Sequence, residues 1–191
     1  GQVAAVGVAF LLVVAVNRGL REAGRYRDRA EPDLMQWLDL VALGTVCDVV
    51  PLTGINRAFV AQGLKIMGRR GNPGLNALAD VAGMDEAPAA YHAGFIMGPR
   101  VNAGGRVGEA GLGAALLATA DEAEARALAA RLDDYNSERR AIEAACLDEA
   151  LAQAEAEGVD GGMVYVSAEG WHPGVIGIVA GRLKDRYNRP A

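Results

Sequence analysis

With 191 residues the chain can make one domain, or one and a fraction, and can bury a sizeable core. Hydrophobic residues make up 51% and mean hydropathy is +0.12, which excludes a disordered chain. A formal charge of −5 excludes a molecule coated in nucleic-acid-binding surface, so any phosphate-binding face must be local.

Val3 to Val16 is strongly apolar but only about 14 residues long, short of the roughly 20 needed to span a bilayer. No basic region precedes it and it has no small-residue cleavage site, so a buried helix running on to Leu20 is expected, with Asn17 and Arg18 starting its polar end. Asp33 with Gln36 reads as a capping box opening the next helix. That helix leads into Leu38 to Leu52, LDLVALGTVCDVVPL, where Leu38, Leu40, Val41 and Leu43 share a face. Gly44, Thr45 and Val46 are expected to end the helical periodicity, leaving Asp48 at a junction. A carboxylate inside an apolar run is costly unless it is paired or bound to a metal. Ends of core elements are also where α/β scaffolds display functional groups. A capping Asp at a turn before Pro51 is the equal alternative. Asn56 reads as the cap of a helix carried by Phe59, Val60, Leu64 and Met67 and stopped by Gly68; Asn72 and Pro73 open another that ends at Gly83. His92, in the context AYHAGF, reads as a packing or surface histidine.

Gly98 to Gly113 holds six glycines in sixteen residues, which predicts a loop or tight crossing. Its spacing fits neither G-x-G-x-x-G nor G-x-x-x-x-G-K-[ST], so a nucleotide site of either kind is not supported. Arg100, Asn102 and Arg106 alternate with small residues, an arrangement that lets guanidinium groups and backbone amides meet a phosphate together. A structural turn whose arginines pair with nearby acids is the competing reading. Thr119 and Glu122 form a second capping box, followed by a helical pattern to about Glu157, a rod of roughly 55 Å. Leu128, Leu132, Tyr135, Ile142 and Cys146 give it one apolar stripe. From Asp121 to Glu157 there are 11 acidic and 4 basic residues, a net of −7, so the rest of the chain carries +2. So acidic a rod is expected to connect two lobes rather than to build a compact core. Beyond Gly158, Gly161 and Gly162, Met163 to Ser167 has the composition of a strand. Trp171, His172 and Pro173 then lead into a helix that stops near Asn188 and Pro190, and His172 is placed either to meet a substrate or to cap that helix. Cys47 and Cys146 form neither a disulfide framework nor a zinc spacing, which fits a reducing cytoplasm.

The segments GTVCDVVPL, NRAFVAQGL (Asn56 to Leu64), GPRVNAGGR (Gly98 to Arg106) and GWHPGVIGIVAGRL (Gly170 to Leu183) together resemble the RecJ-like enzymes of the DHH phosphoesterase superfamily, single-strand-specific 5′ to 3′ exonucleases. The four motifs stand in the family's order and span nearly the whole chain. The resemblance implies an α/β-family protein of which this stretch is predominantly helical. It would comprise the late part of a DHH domain (1–115), a connecting helix (116–158) and the first strand and helix of the DHH-associated domain (159–191). It implies Mn2+ or Mg2+ in the full-length enzyme, with Asp48 as one metal ligand, and Arg100, Asn102 and Arg106 facing the cleft and handling the substrate's phosphates; His172 joins them as a substrate-binding candidate from its own position alone. Cys47 and Gly104 stand where alanine is common in relatives.

Only His92 and His172 are present, neither followed by a second histidine, and no Asp-rich motif precedes the first helix. Because the resembled family carries those elements upstream of such a segment, the resemblance implies an internal fragment, inactive alone, of a cytoplasmic hydrolase of DNA repair and recombination. Its implied partners are single-stranded DNA and a single-strand-binding protein or helicase. A non-catalytic DHH-type nucleic-acid-binding or scaffold module is the alternative; a phosphodiesterase of short oligonucleotides or cyclic dinucleotides fits the motif wording less well.

Overall fold

The computed structural model describes residues 3–159 and 161–191, and every regular element among them is helical. Gly1, Gln2 and Asp160, which fall within the first and last predicted units, lie outside the described residues.

The first helix, α1 (Ala5–Glu22), corrects the expectation of a buried one. Its buried residues are Gly7 and Asn17, while Val8, Leu11, Leu12, Val13, Val14 and Val16 are exposed. The helix has a neighbour on one side only: it rests on α2 (Leu38–Cys47), where Gly44 lets Val6 approach, and meets α3 (Gly54–Met67) through an edge-on Phe10–Phe59 contact at 5.6 Å. No helix among the described residues is long and apolar enough to cross a membrane.

Asp33 caps as expected, its carboxylate accepting from the Met35 N–H, with Gln36 Nε2 donating to the Asp33 carbonyl at 2.8 Å. The 3-10 turn Leu34–Trp37 feeds directly into α2. Gly44, Thr45 and Val46 do not end α2, which runs through them to Cys47 because Thr45 is wholly buried and tertiary packing outweighs β-branched preference. The cap of α3 also differs from expectation. Thr53 holds the N-cap position, and Asn56 lies in the first turn, buried, with its Nδ2 donating to the Pro51 carbonyl at 3.0 Å. Gly63 allows α3 to lie against α2, since a Cβ there would stand 2.0 Å from the Leu38 carbonyl oxygen. Asn72 and Pro73 open α4 (Pro73–Val81) as predicted, Asn72 accepting from the Leu75 N–H at 2.9 Å.

The glycine-rich segment is not one loop: after a π-helix (His92–Met97) it forms α5 (Gly98–Val107), a turn over 108–111 and the start of α6 (Leu112–Ala118). Within the helices, Gly98, Gly104 and Gly113 admit neighbours. A Cβ on Gly104 would stand 2.5 Å from the Glu109 carbonyl oxygen, and one on Gly113 2.7 Å from that of Val101. Close packing of helix against helix outweighs the roughly 1 kcal/mol that glycine costs in a helix interior.

Helix α7 (Glu122–Glu157) is one uninterrupted 36-residue rod. Its N-cap is Asp121, not Thr119: Asp121 accepts from the Ala123 and Glu124 N–H groups, while the Thr119 hydroxyl donates to Glu124. Nor is α7 a bare connector. Ala125, Ala129 and Leu132 complete a first hydrophobic cluster with Leu43, Leu75, Leu78, Met97 and Leu116, and Cys146, Ala150 and Ala154 complete a second with Val164, Val175, Val179 and Leu183. The second cluster is closed by α8 (Pro173–Tyr187), which ends at Asn188 in the left-handed conformation. The strand expected at Met163 to Ser167 is absent among the described residues. A strand needs a ladder, and this segment has instead single ties, from Val164 N–H to the Pro190 carbonyl at 2.8 Å and from Ser167 N–H to Gln153 at 3.2 Å.

The α2–α3 crossing yields a paired expectation. Gly63→Ala should destabilise the chain by about 1–3 kcal/mol, because the facing atom is backbone and cannot swing aside. Gly19→Ala, on the exposed side of α1 with nothing within 4 Å of the new methyl, should stabilise by about 0.5–1 kcal/mol. Urea unfolding of both variants checks the two signs.

Candidate functional site

Helix α2 delivers Asp48 to the surface. Asp48 is the C-cap residue, its N–H bonded to the Gly44 carbonyl at 3.0 Å, and Val49 then turns the chain with φ +55°. A β-branched residue in the left-handed region is strained by about 1–2 kcal/mol, and Val49 is also 87% exposed. Asp48 is therefore at a junction, as expected, but not inside apolar surroundings. It is exposed, and its carboxylate makes no hydrogen bond or ion pair among the described residues. Beside it, Cys47 Sγ donates to the Ala93 carbonyl at 3.7 Å, and burial, with a smaller push from the Asp48 charge, raises its thiol pKa. Cys47 is thus a packing thiol that joins the end of α2 to the π-helix.

That joint positions α5. A Cβ on Gly98 would lie 2.6 Å from Cys47 Sγ, so only glycine lets α5 start against the end of α2. Exposed Asn102 and Arg106 on α5 then share a cleft of about 160 Å³ with Cys47, Gly98, Arg139 of α7 and Ile178 of α8. The far end of α5 abuts α8: Arg106 Nη1 donates to the Gly174 carbonyl at 3.0 Å, and a Cβ on Gly174 would stand 2.2 Å from the Arg106 carbonyl oxygen. Arg100 is not brought into this cleft. Its Nε pairs with Asp133 at 2.8 Å and its Nη1 donates to the Ile96 carbonyl at 2.8 Å, which locks α5 to α7. The three motif residues thus divide, two toward the cleft and one into the scaffold.

The wall contributed by α7 was not singled out in the sequence. Arg139 donates to Glu143 Oε2 at 2.6 Å and to Asn136 Oδ1 at 3.1 Å, while Arg182 of α8 reaches the other Glu143 oxygen at 3.0 Å. Burial lowers the pKa of Arg139; Glu143 opposes that shift, and the nearby Arg106 and Arg140 charges add to it. Two guanidinium groups therefore share one carboxylate with two more close by, and the cleft is basic in a chain that is acidic overall. The available signal was the adjacent pair Arg139–Arg140 in the middle of an acidic helix. His172 caps α8, its Nδ1 accepting from the Gly174 N–H at 3.0 Å, so the capping reading describes its contact. His92 is buried, as a packing histidine, with Nδ1 accepting from the Ala89 N–H and Nε2 3.1 Å from Glu86.

No protein-family model matches the chain. Among curated proteins it is 44% identical over 196 residues to the single-stranded-DNA-specific exonuclease RecJ of Dickeya dadantii, covering 98% of this chain and 34% of that one. The Escherichia coli RecJ is 44% identical over 198 residues, with 99% and 34% covered, and the Bacillus subtilis RecJ 39% over 191, with 100% and 23%. A crystal structure of Thermus thermophilus RecJ with Mg2+ superposes with a TM-score of 0.83 at 37% identity, over 96% of this chain and 27% of that one. A manganese-bound exonuclease RecJ gives 0.81 at 38%, over 96% and 44%. The similarity to RecJ extends over nearly the whole of this chain. It spans about a third of the length of the first curated relatives it matches. The helical arrangement of the described residues thus matches the RecJ structures over this stretch.

The charge network in this cleft predicts unequal costs. Glu143→Gln should destabilise by about 1–3 kcal/mol, because Arg139 and Glu143 are largely buried and the amide cannot balance two guanidinium groups. Arg182→Ala should cost less than about 1 kcal/mol, since its own side chain is 61% exposed. Equal losses in denaturant unfolding would show that the network does not centre on Glu143.

Proposed function

We propose that this RecJ-like chain is an inner part of a divalent-metal-dependent, single-strand-specific 5′ to 3′ DNA exonuclease of repair and recombination, and that it supplies the phosphate-binding wall of the nuclease cleft. The observation that carries the reading is the convergence of Asn102, Arg106 and Arg139 from two helices on a cleft that begins at the residue before Asp48. Guanidinium groups offer charge-assisted hydrogen bonds to phosphate, and a local basic face is what an acidic protein needs to hold a polyanion. In this reading 1–115 is the late part of the DHH domain, 116–158 the connector and 159–191 the start of the associated domain. The whole protein works in the cytoplasm, with a single-strand-binding protein or helicase among its partners.

Asp48 offers the hard oxygen donors that Mg2+ and Mn2+ prefer, and its exposure leaves them accessible. Among the described residues, however, no group of three or more His, Cys, Asp or Glu side chains could hold an ion. The described residues therefore do not by themselves make up a metal site, and two-metal hydrolysis, with ions about 4 Å apart, needs further ligands. The side chains of this stretch act on the substrate. Arg106 and Asn102 bind and orient phosphate, while Arg100, through Asp133, positions the helix that carries them.

Three measurements test this. Incubated with 5′-labelled single-stranded DNA and manganese, the 191-residue chain should release no mononucleotides; release that vanishes in Asp48→Asn would overturn the reading. In binding assays, Arg106→Ala should weaken affinity for single strands and lower the log–log salt slope by about one, with partial rescue at low salt. Arg100→Ala should leave that slope unchanged and lower the melting temperature instead.

A further inference from the structure

The π-helix beside the cleft carries Phe95 and has Tyr91 at its N-cap, two large aromatic side chains that stay exposed although Tyr91 also meets the His92 ring edge-on at 5.7 Å. Tyr91 is 60% and Phe95 71% exposed, yet their rings are stacked on each other, with centroids 5.3 Å apart and planes 27° from parallel. Two exposed rings held face to face present a flat π surface to solvent. Their support is rigid. His92, between them in sequence, is buried and fixed by the Ala89 N–H and by Glu86, and Ala93, next along, accepts from Cys47. Gly94, adjacent to Phe95, lines the basic cleft together with Gly98, Asn102 and Arg106. A π-helical turn widens the spacing between successive rows of side chains, and such turns occur often at functional sites.

We infer that Tyr91 and Phe95 form a nucleobase-stacking platform that continues the phosphate-binding cleft. This deepens, and rests on, the reading of that cleft as a single-strand site. The cleft argues for the occupant: a chain whose phosphates lie against Arg106 and Arg139 carries its bases to one side, and the exposed rings, one of them adjacent in sequence to the cleft-lining Gly94, offer them a face. Every base has a π face, so the platform reads no sequence, and its ordering before the ligand arrives reduces the entropy lost on binding. Single strands, whose bases are unpaired, would use it; duplexes would not.

The test compares two fluorescent oligomers of equal phosphate count, an oligothymidylate and its abasic counterpart, by anisotropy titration against the intact chain. The base-bearing oligomer should bind at least about fivefold more tightly, and each of Tyr91→Leu and Phe95→Leu should narrow that gap while leaving abasic binding unchanged. Leucine keeps the apolar bulk and removes the ring, so a merely hydrophobic contact would survive the exchange. Equal binding of the two oligomers by the unaltered chain overturns the platform while leaving the basic cleft standing, and needs no variant to fold. Binding of neither oligomer overturns the cleft reading and the platform with it. A gap that persists in both leucine variants also overturns it.

Discussion

Close approach of backbones through small side chains is the constraint on which the structure depends. At Gly63, Gly74, Gly98, Gly104 and Gly174 an added Cβ would fall between 2.0 and 2.6 Å from a carbonyl oxygen or a sulfur. Along α7 alanines play the same part, with Ala125, Ala129, Ala150 and Ala154 all buried. With few aromatic residues to fill space, dispersion attraction comes from bringing helices near rather than from inserting large side chains. The functional geometry inherits this economy. Asn102 and Arg106 face the end of α2 only because Gly98 lets α5 start against Cys47, and α8 reaches the same cleft only because Gly174 lies against Arg106.

The cleft also explains why α7 changes character half-way. Its buried stripe is apolar at both ends and polar between Asn136 and Glu143, the stretch that faces the junction of α5 and α8. Burying a carboxylate there is tolerable because two guanidinium groups share it, and the guanidiniums in turn are held close together without a free anion. An acidic helix thereby displays a basic face, and the net charge of −5 conceals it.

Much of this was legible from the residues alone. The capping side chains of Asp33 and Asn72, the continuity of α7 and the stop at Asn188 follow from local chemistry, and the structure has them. What failed did so where tertiary contacts reverse a local preference. Six glycines predict a loop unless one knows that each of several faces a neighbour's backbone, and Thr45 and Val46 predict a helix end unless one knows that Thr45 is buried. Two further misses concern partners. The apolar α1 read as buried, but hydrophobicity states only that a face can be covered, not that a neighbour is there. Met163 to Ser167 read as a strand, but a strand is a relation between two segments. At the cleft, the motif spacing put Arg100, Asn102 and Arg106 forward as one group, while their division between scaffold and cleft depends on Asp133, a residue 33 positions away from Arg100.

The polar middle of α7 has a consequence for how the molecule comes apart. Each hydrophobic cluster clamps one end of the helix, whereas between Asn136 and Glu143 the helix is held chiefly by directional charge contacts, which contribute little to a hydrophobic nucleus. Amide protons near the centre of the rod should therefore exchange with solvent before those at 125–132 and 146–154, the reverse of the end-fraying seen in isolated helices. The two clusters would then act as separate cooperative units on one continuous backbone, coupled through about two helical turns.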